Sequence, residues 1–265
     1  MKSSFKKHLL ELASDLPVGI ATKLVVVSEV DSTNSLAKTL AQQGAQEGTV
    51  VIAETQQKGR GRFERQWESP KGGLYLSIVL RPTTPVEKTS VLPLITALAV
   101  SQTMSTFHLT AMIKWPNDVL VNKKKIAGIL LESELEGSQI SYIVVGIGIN
   151  LNIDLNQISL ELRNRTTSLK QETHSTADIQ KFLKIFFQQF QKYYELFSRE
   201  QYDQLLLEWK HHSDTLGKVV KVVTSQETFE GVAIDIDSSG FLIVKKQNGS
   251  LKKIMSGDCL YLNET

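Results

Sequence analysis

The spacing of hydrophobic and polar positions divides the chain into segments of strand and helix character. A short amphipathic helix is predicted at residues 5–12, and a buried, valine-rich strand follows at 23–30. Further strands are predicted at 49–54, 74–81, 111–115, 119–121, 125–132 and 140–149. Helical spacing occurs at 36–44, 91–107, 178–197 and 202–209. This mixture predicts an α+β (α/β) fold in which helices pack against a sheet.

The pattern changes after Gly217, where short alternating strands follow one another closely. They are predicted at 219–223, 229–235, 241–246 and 252–254, with SSG and NG turns between them. Closely spaced strands over about 50 residues indicate a small β-barrel. We therefore predict two domains, residues 1–214 and residues 215–265.

The composition is that of an ordinary soluble globular protein, with 41% hydrophobic and 22% charged residues. The net charge of +2 gives no indication of a nucleic-acid-binding or membrane-binding surface, so any basic function is expected to be local. The single cysteine, Cys259, excludes an intramolecular disulfide and a multi-cysteine metal site, and we expect it to serve in packing. No signal peptide is readable, and no apolar run approaches the roughly 20 residues of a membrane span. We expect a cytoplasmic protein.

Residues 55–67, TQQKGRGRFERQW, form a loop rich in arginine and glycine between two predicted strands. Its arginines are Arg60, Arg62 and Arg65. Glycine permits close backbone approach and arginine matches the geometry of phosphate or carboxylate, so the loop is suited to an anionic ligand. A solvated basic turn or a nucleic-acid patch is an alternative for so short a motif. The loop length of roughly 15 residues favours a binding loop or lid.

Four further polar or glycine-rich motifs lie at or near the ends of predicted strands. They read DSTN at 31–34, KWPND at 114–118, KKIAGI at 124–129 and GIGIN at 146–150. Structural explanations exist for the first three: DSTN contains N-cap residues, Asn117 and Asp118 suit a turn, and Lys125 suits a solvated turn. Interior strand glycines such as Gly146 and Gly148 often mark the close approach of a ligand or another backbone.

Taken together and in this order, the five motifs resemble the biotin protein ligases. The resemblance runs from about residue 23 to residue 152 and continues more weakly through the predicted barrel. It implies a mixed sheet of the class II aminoacyl-tRNA synthetase type with helices against it, followed by an SH3-like barrel. It also implies a two-step reaction: biotin and ATP form biotinyl-5′-AMP, and the biotinyl group passes to a lysine of a biotin carboxyl carrier protein. Positive charge and N–H donors must offset the repulsion between carboxylate and polyphosphate.

The resemblance assigns site residues position by position. Lys125 is similar to the lysine that reaches the biotin carboxylate and the acyl phosphate, and it is the leading catalytic candidate, with Arg60 and Arg62. Biotin contacts are implied for Ser32, Thr33, Asn34, Gln56, Arg60, Gly61, Arg62 and Lys125. Nucleotide contacts are implied for Arg62, Arg65, Trp67, Asn117, Asp118 and Asn150. The arginine loop is expected to order over the ligand and to protect the adenylate from water.

The resemblance also bears on cofactors and partners. ATP implies Mg²⁺, because hard phosphate oxygens bind this cation, but no protein ligands for a metal are identified. Many members of the family dimerise through the sheet, so a homodimer is an open alternative. Some members carry an N-terminal winged helix-turn-helix and repress transcription. The segment before the first predicted strand is too short for that module, so we expect a ligase that binds no nucleic acid.

One position departs from the family pattern. The loop commonly reads GRGRxGR, whereas Glu64 stands here at the position of the later glycine. The substitution adds a carboxylate where anions are bound and removes a residue that tolerates positive φ. We expect the activity to survive and the closure of the loop to be affected.

Two other functions are retained as alternatives. A lipoate or octanoate ligase has a related fold, but DSTN and the glycine-arginine loop favour biotin. A non-catalytic sensor of biotin or adenylate is disfavoured by the presence of Lys125, Arg60 and Arg62. For the predicted barrel, completion of the nucleotide site and docking of the carrier are both open.

Overall fold

A seven-stranded mixed sheet, flanked by helices, forms the larger part of the computed structural model, which describes residues 4–11 and 20–262. The strands of this sheet are β1 (Lys23–Val30), β2 (Thr49–Gln56), β3 (Leu74–Leu80), β4 (Ala111–Lys114), β5 (Asp118–Val121), β6 (Lys124–Glu136) and β7 (Gln139–Ile149). The helices are α1 (Ser4–Glu11), α2 (Thr33–Gln42), α3 (Val91–Ser105), α4 (Leu160–Arg163), α5 (Leu169–Thr173), α6 (Ile179–Ser198) and α7 (Tyr202–His211).

The sheet has the strand order β1-β2-β3-β7-β6-β5-β4. Strands β1 and β2 pair in parallel, and the other neighbours pair antiparallel. Helix α2 covers one face, where Ala37 and Ala41 pack with Val51 and Val79. Helices α3 and α6 belong to the main core, and the aromatic residues of α6, such as Phe186, are buried there. The predicted α+β arrangement of helices against a sheet is therefore confirmed.

The prediction that β1 is a buried strand is wrong. Only Val26 among its residues is buried, and the others are half-buried or exposed. The reason is topological, because β1 lies at the edge of the sheet and has a neighbour on one side only. Its valine-rich sequence reflects strand propensity more than burial.

A second sheet follows, with five antiparallel strands in the order β11-β10-β9-β8-β12. The strands are β8 (Val219–Val223), β9 (Thr228–Ile236), β10 (Leu242–Lys246), β11 (Leu251–Ile254) and β12 (Asp258–Tyr261). Strand β12 was not predicted from the sequence; it carries Cys259, which is buried as expected. The indole N–H of Trp115 donates to the Gly240 carbonyl at 3.0 Å, which joins the first sheet to the second.

Neither a membrane-spanning helix nor a metal-binding cluster of side chains is found among the residues that the structure describes. None of their helices combines the length and apolar character needed to cross a bilayer. Among the same residues, no group of three or more histidine, cysteine, aspartate or glutamate side chains is arranged to hold a metal ion.

Candidate active site

Paired glycines on β6 and β7 form a bare stretch of backbone that receives an aromatic ring. Gly128 and Gly148 are direct partners across the two strands. A Cβ atom on Gly148 would lie 2.5 Å from the indole of Trp67, and one on Gly128 would lie 2.8 Å from it. We call this pair the glycine cradle. The indole of Trp67 lies in this cradle, and its Nε1 atom is buried and has no hydrogen-bond partner among the described residues.

The start of α2 approaches the same face of the sheet at a third glycine, Gly146 of β7. A Cβ atom on Gly146 would lie 2.1 Å from Oδ1 of Asn34. The strand glycines do mark a close approach, but the approaching groups are the side chains of Asn34 and Trp67 and not the ligand or backbone that the sequence predicted. Ser32 occupies the N-cap position of α2 with extended backbone angles, but its buried side chain makes no capping hydrogen bond. Helix capping thus does not account for this hydroxyl.

Hydrogen bonds join the DSTN motif to β2 and β3. Both the backbone N–H and the hydroxyl of Thr33 donate to Oε1 of Gln56, at 2.8 and 3.1 Å. The amide of Gln56 in turn donates to the hydroxyl of Ser69 at 2.9 Å. Ser77, buried on β3, lies 2.8 Å from the Thr33 hydroxyl and 2.6 Å from Oδ1 of Asn34. Three of the predicted biotin-site residues therefore form one network.

Lys125 lies within β6 and not in a solvated turn. Its ammonium group pairs with Asp118 at 2.6 Å, and its side chain is about one third exposed. The same ammonium lies 5.1 Å from the centroid of the Trp67 ring, a distance typical of a cation–π contact. Lys125, Asp118 and Trp67 thus meet at the glycine cradle, as expected for parts of a single site.

The flap, which we define as residues 59–67, is an ordered hairpin-like loop. The Gly61 N–H donates to the Arg65 carbonyl at 2.7 Å, and the Trp67 N–H donates to the Gly59 carbonyl at 2.9 Å. At its tip, Phe63 and Glu64 both have left-handed backbone angles, with φ of 55° and 56°. Glu64 therefore stands where glycine is favoured, as the departure from the family pattern suggested.

The three arginines of the flap have partners in two parts of the molecule, one in the first sheet with α2 and the other in the second sheet. Arg60 donates to the Ser35 hydroxyl at 2.9 Å and to the Glu132 carboxylate at 3.0 Å. Arg62 donates to the Gly257 carbonyl at 3.1 Å and the Ser256 hydroxyl at 3.2 Å, while Arg65 forms an ion pair with Asp258. The tip of the flap is thus attached to the second sheet, through the segment 256–258.

The charge environment of Arg62 differs from that of an exposed arginine. Burial lowers the pKa of its guanidinium, and the carboxylates of Asp258 and Asp118 oppose that effect. A partly desolvated cation interacts more strongly with an anion than one in bulk water does.

Two residues assigned to the nucleotide have structural contacts in this structure. The amide of Asn117 donates to the Ile129 carbonyl at 2.7 Å, which fixes the chain before β5 against β6. The amide of Asn150 is buried and donates to the Thr167 carbonyl at 3.0 Å. Nucleotide contacts by these two asparagines remain predictions.

Several residues at the site were not predicted from the sequence. They are Ser35, Lys38, Ser69, Ser77, Glu132, Ser256, Gly257 and Asp258. For Glu132 a signal was available, because strand alternation from Gly128 places it on the same face of β6. For segment 256–258 no local signal exists, since its contacts join residues nearly 200 positions apart.

Comparison with known proteins places the fold and the site in a family. Residues 26–150 match the model of the biotin/lipoate A/B protein ligase family, and residues 215–261 match the biotin protein ligase C-terminal domain. The bifunctional ligase/repressor BirA of Bacillus spizizenii is 35% identical over 252 residues, covering 92% of this chain and 77% of that protein. The biotin–[acetyl-CoA-carboxylase] ligase of Paracoccus denitrificans is 32% identical, covering 84% of this chain and 95% of that protein.

The solved structures agree with the sequence comparison. Biotin protein ligase from Aquifex aeolicus, in complex with biotin and ATP, superposes with a TM-score of 0.77 and 30% identity. The match covers 89% of this chain and 97% of that structure. The chain therefore belongs to the biotin protein ligases, a family of enzymes, as the five motifs predicted.

Proposed function

We propose that the protein activates biotin with ATP to biotinyl-5′-AMP and transfers the biotinyl group to a lysine of a biotin carboxyl carrier protein. Support comes from family membership and from the relatives named as biotin–[acetyl-CoA-carboxylase] ligases. The observation that carries the proposal is the position of Lys125, whose ammonium lies against Trp67 of the flap and beside Gly128 of the glycine cradle.

In the first step, a carboxylate oxygen of biotin attacks the α-phosphorus of ATP, and diphosphate leaves. Negative charge accumulates where the two anions meet, and fixed cations offset it. Lys125 supplies one such cation, and a bound carboxylate or phosphate replaces Asp118 as its partner. Arg62, partly desolvated by burial, supplies a second once its bonds to residues 256–257 give way to the phosphates.

The biotin end of the site is assigned to the start of α2 and the base of the flap. Ser32 offers a buried hydroxyl that has no cap partner, while Thr33 and Gln56 offer donors and acceptors already aligned by their mutual bonds. Asn34, Arg60 and Gly61 complete this end. The nucleotide end is assigned to Arg62, Arg65, Trp67, Asn117, Asp118 and Asn150.

In the second step, the amine of a carrier lysine attacks the acyl carbon, and AMP leaves. A closed flap excludes water, which would otherwise hydrolyse the mixed anhydride. ATP brings Mg²⁺ with it. Because the described residues offer no cluster of three or more metal-ligating side chains, phosphates and water are expected to hold most of the cation's coordination sites.

The architecture supports two finer assignments within this proposal. The mixed sheet with helices on both faces is consistent with a class II aminoacyl-tRNA synthetase-like domain over residues 1–214. The five antiparallel strands are consistent with an SH3-like barrel over residues 215–265. A cytoplasmic location, where the carrier is made, fits the same function.

The test is incubation of the protein with ATP, a carrier domain and labelled biotin or lipoate. We expect label from biotin on the carrier and a biotinyl-5′-AMP intermediate, and we expect EDTA to abolish both. Lys125→Ala should lower the rate of adenylate formation about a hundredfold, the order of effect seen when one stabilising donor is lost. Its matched control is Lys124→Ala, which removes the adjacent exposed lysine and should leave the rate unchanged.

Other outcomes would redirect the assignment. Transfer of lipoate alone would identify a lipoate ligase, and binding of biotin without transfer would identify a sensor. The Bacillus relative is named as a ligase and repressor, so a gel-shift assay with biotin, ATP and promoter DNA tests our expectation that this chain binds no operator. Sedimentation with and without both ligands tests whether a homodimer forms.

A further inference from the structure

We propose that Glu132 is a positioning residue that fixes the biotin end of the site, by holding Asn34 of α2 and Arg60 of the flap in one charged network. The inference rests on the proposed function. Glu132 lies on β6, on the face that also carries Gly128, and its side chain is 24% exposed. It therefore stands between the helix and the flap, seven residues along the same strand from Lys125.

The carboxylate of Glu132 contacts three side chains, those of Asn34, Arg60 and Lys38. Its Oε2 atom accepts from the Asn34 amide at 2.7 Å. The Nη2 atom of Arg60 donates to both of its oxygens, at 3.2 and 3.0 Å, and Lys38 on α2 lies 3.7 Å away. The other terminal nitrogen of Arg60 donates to the Ser35 hydroxyl at 2.9 Å. Arg60 is thus held at two points, one on β6 and one on α2.

The charge of Glu132 is maintained by these partners. Burial acts to raise its pKa, but hydrogen bonds from Asn34 and Arg60, with the charges of Arg60 and Lys38, leave the pKa below its ordinary value. The carboxylate is therefore ionised at neutral pH, and two cations face it. Hydrogen bonds of this charge-assisted type are stronger than those between neutral groups.

This network attaches the base of the flap to β6 and α2, separately from the contacts of its tip. Arg60 is attached to the core of the first sheet, whereas Arg62 and Arg65 are attached to the second sheet. In this role Glu132 acts on the site through the side chains that it holds and not by direct contact with the substrates. Its effect is exerted through Asn34 and Arg60, and it should appear in the affinity for biotin more than in the affinity for ATP.

The test is Glu132→Gln, which keeps the shape of the side chain and removes its charge. We expect the KM for biotin in adenylate formation to rise about tenfold, as for loss of one charge-assisted hydrogen bond, with the KM for ATP unchanged. The matched control is Glu134→Gln, two residues further along the same face of β6 and exposed, which should leave both constants unchanged. An unchanged KM for biotin in Glu132→Gln would overturn the inference.

A second variant covers the case in which Glu132→Gln does not fold. Ser35→Ala removes the other anchor of Arg60 from a half-buried position and should raise the KM for biotin about threefold. Equal rises in both KM values, with a lower unfolding temperature, would show a general structural role and would also overturn the inference. A wild-type protein that forms no biotinyl-5′-AMP would instead refute the proposed function.

Discussion

The backbone at Glu64 leads to a prediction about how long the flap stays closed. Glu64 has φ of 56°, in the left-handed region, and its side chain is exposed. A residue with a Cβ atom in this region costs about 1–2 kcal/mol relative to its preferred conformation. Glycine removes that cost but gives the released loop more freedom, which opposes closure by about 0.4–1 kcal/mol. The midpoints of these two ranges leave a net gain of about 0.8 kcal/mol for Glu64→Gly, or roughly a fourfold slower release of adenylate.

The assay is a stopped-flow chase of preformed biotinyl-5′-AMP with excess unlabelled ligand. Glu64→Gln is the matched control, because it removes the carboxylate and retains the strained backbone. If Glu64→Gln slows release as much as Glu64→Gly does, charge and not backbone strain limits closure. Unchanged or faster release in Glu64→Gly would refute the reasoning altogether.

Three other predictions follow from contacts around the site. Gly148→Ala places a Cβ 2.5 Å from Trp67, so we expect the indole to leave the glycine cradle. Tryptophan fluorescence should then shift, and adenylate formation should be at least tenfold slower. An unchanged tryptophan emission spectrum would contradict this prediction. Asp258→Asn weakens an ion pair whose arginine is exposed, so adenylate release should quicken only about twofold. The control is Asp237→Asn in the turn after β9, which weakens an ion pair with Lys253, and equal release rates in Asp258→Asn and the unmodified protein would contradict the prediction. Burial raises the pKa of Cys259 to about 12, so this thiol should resist alkylation at pH 8 until the protein unfolds; rapid labelling of the native protein would oppose this.

The strands and long helices were predictable because each depends on local spacing. The apolar runs of β6 and β7 and the helical spacing of apolar residues in α3 and α6 follow from burial against neighbouring elements, and the structure contains all four. The partial exposure of β1 was not predictable, since its position at an edge depends on the order of strands in the whole sheet. Strand β12, only four residues long, also escaped detection.

The motifs identified the neighbourhood of the site but not its connections. The glycines of β7 indicated a close approach, but by a ligand or another backbone, and nothing local to them identified the side chains of Trp67 and Asn34 as the approaching groups. The contacts of Arg62 with Gly257, and of Arg65 with Asp258, link residues far apart in sequence, so they exist only after both sheets have folded. Long-range pairing of this kind leaves no periodic pattern in either segment.

The attachment of the flap to residues 256–258 has a consequence for biosynthesis. About 190 residues must leave the ribosome after the flap before its anchor is made, and strand β12 must then pair with β8. During synthesis, the arginines at the tip of the flap therefore have no partners in the second sheet until these residues have been translated. Products that end before residue 256 would lack these contacts, and the arginines at the tip of their flap would have no partners in the second sheet.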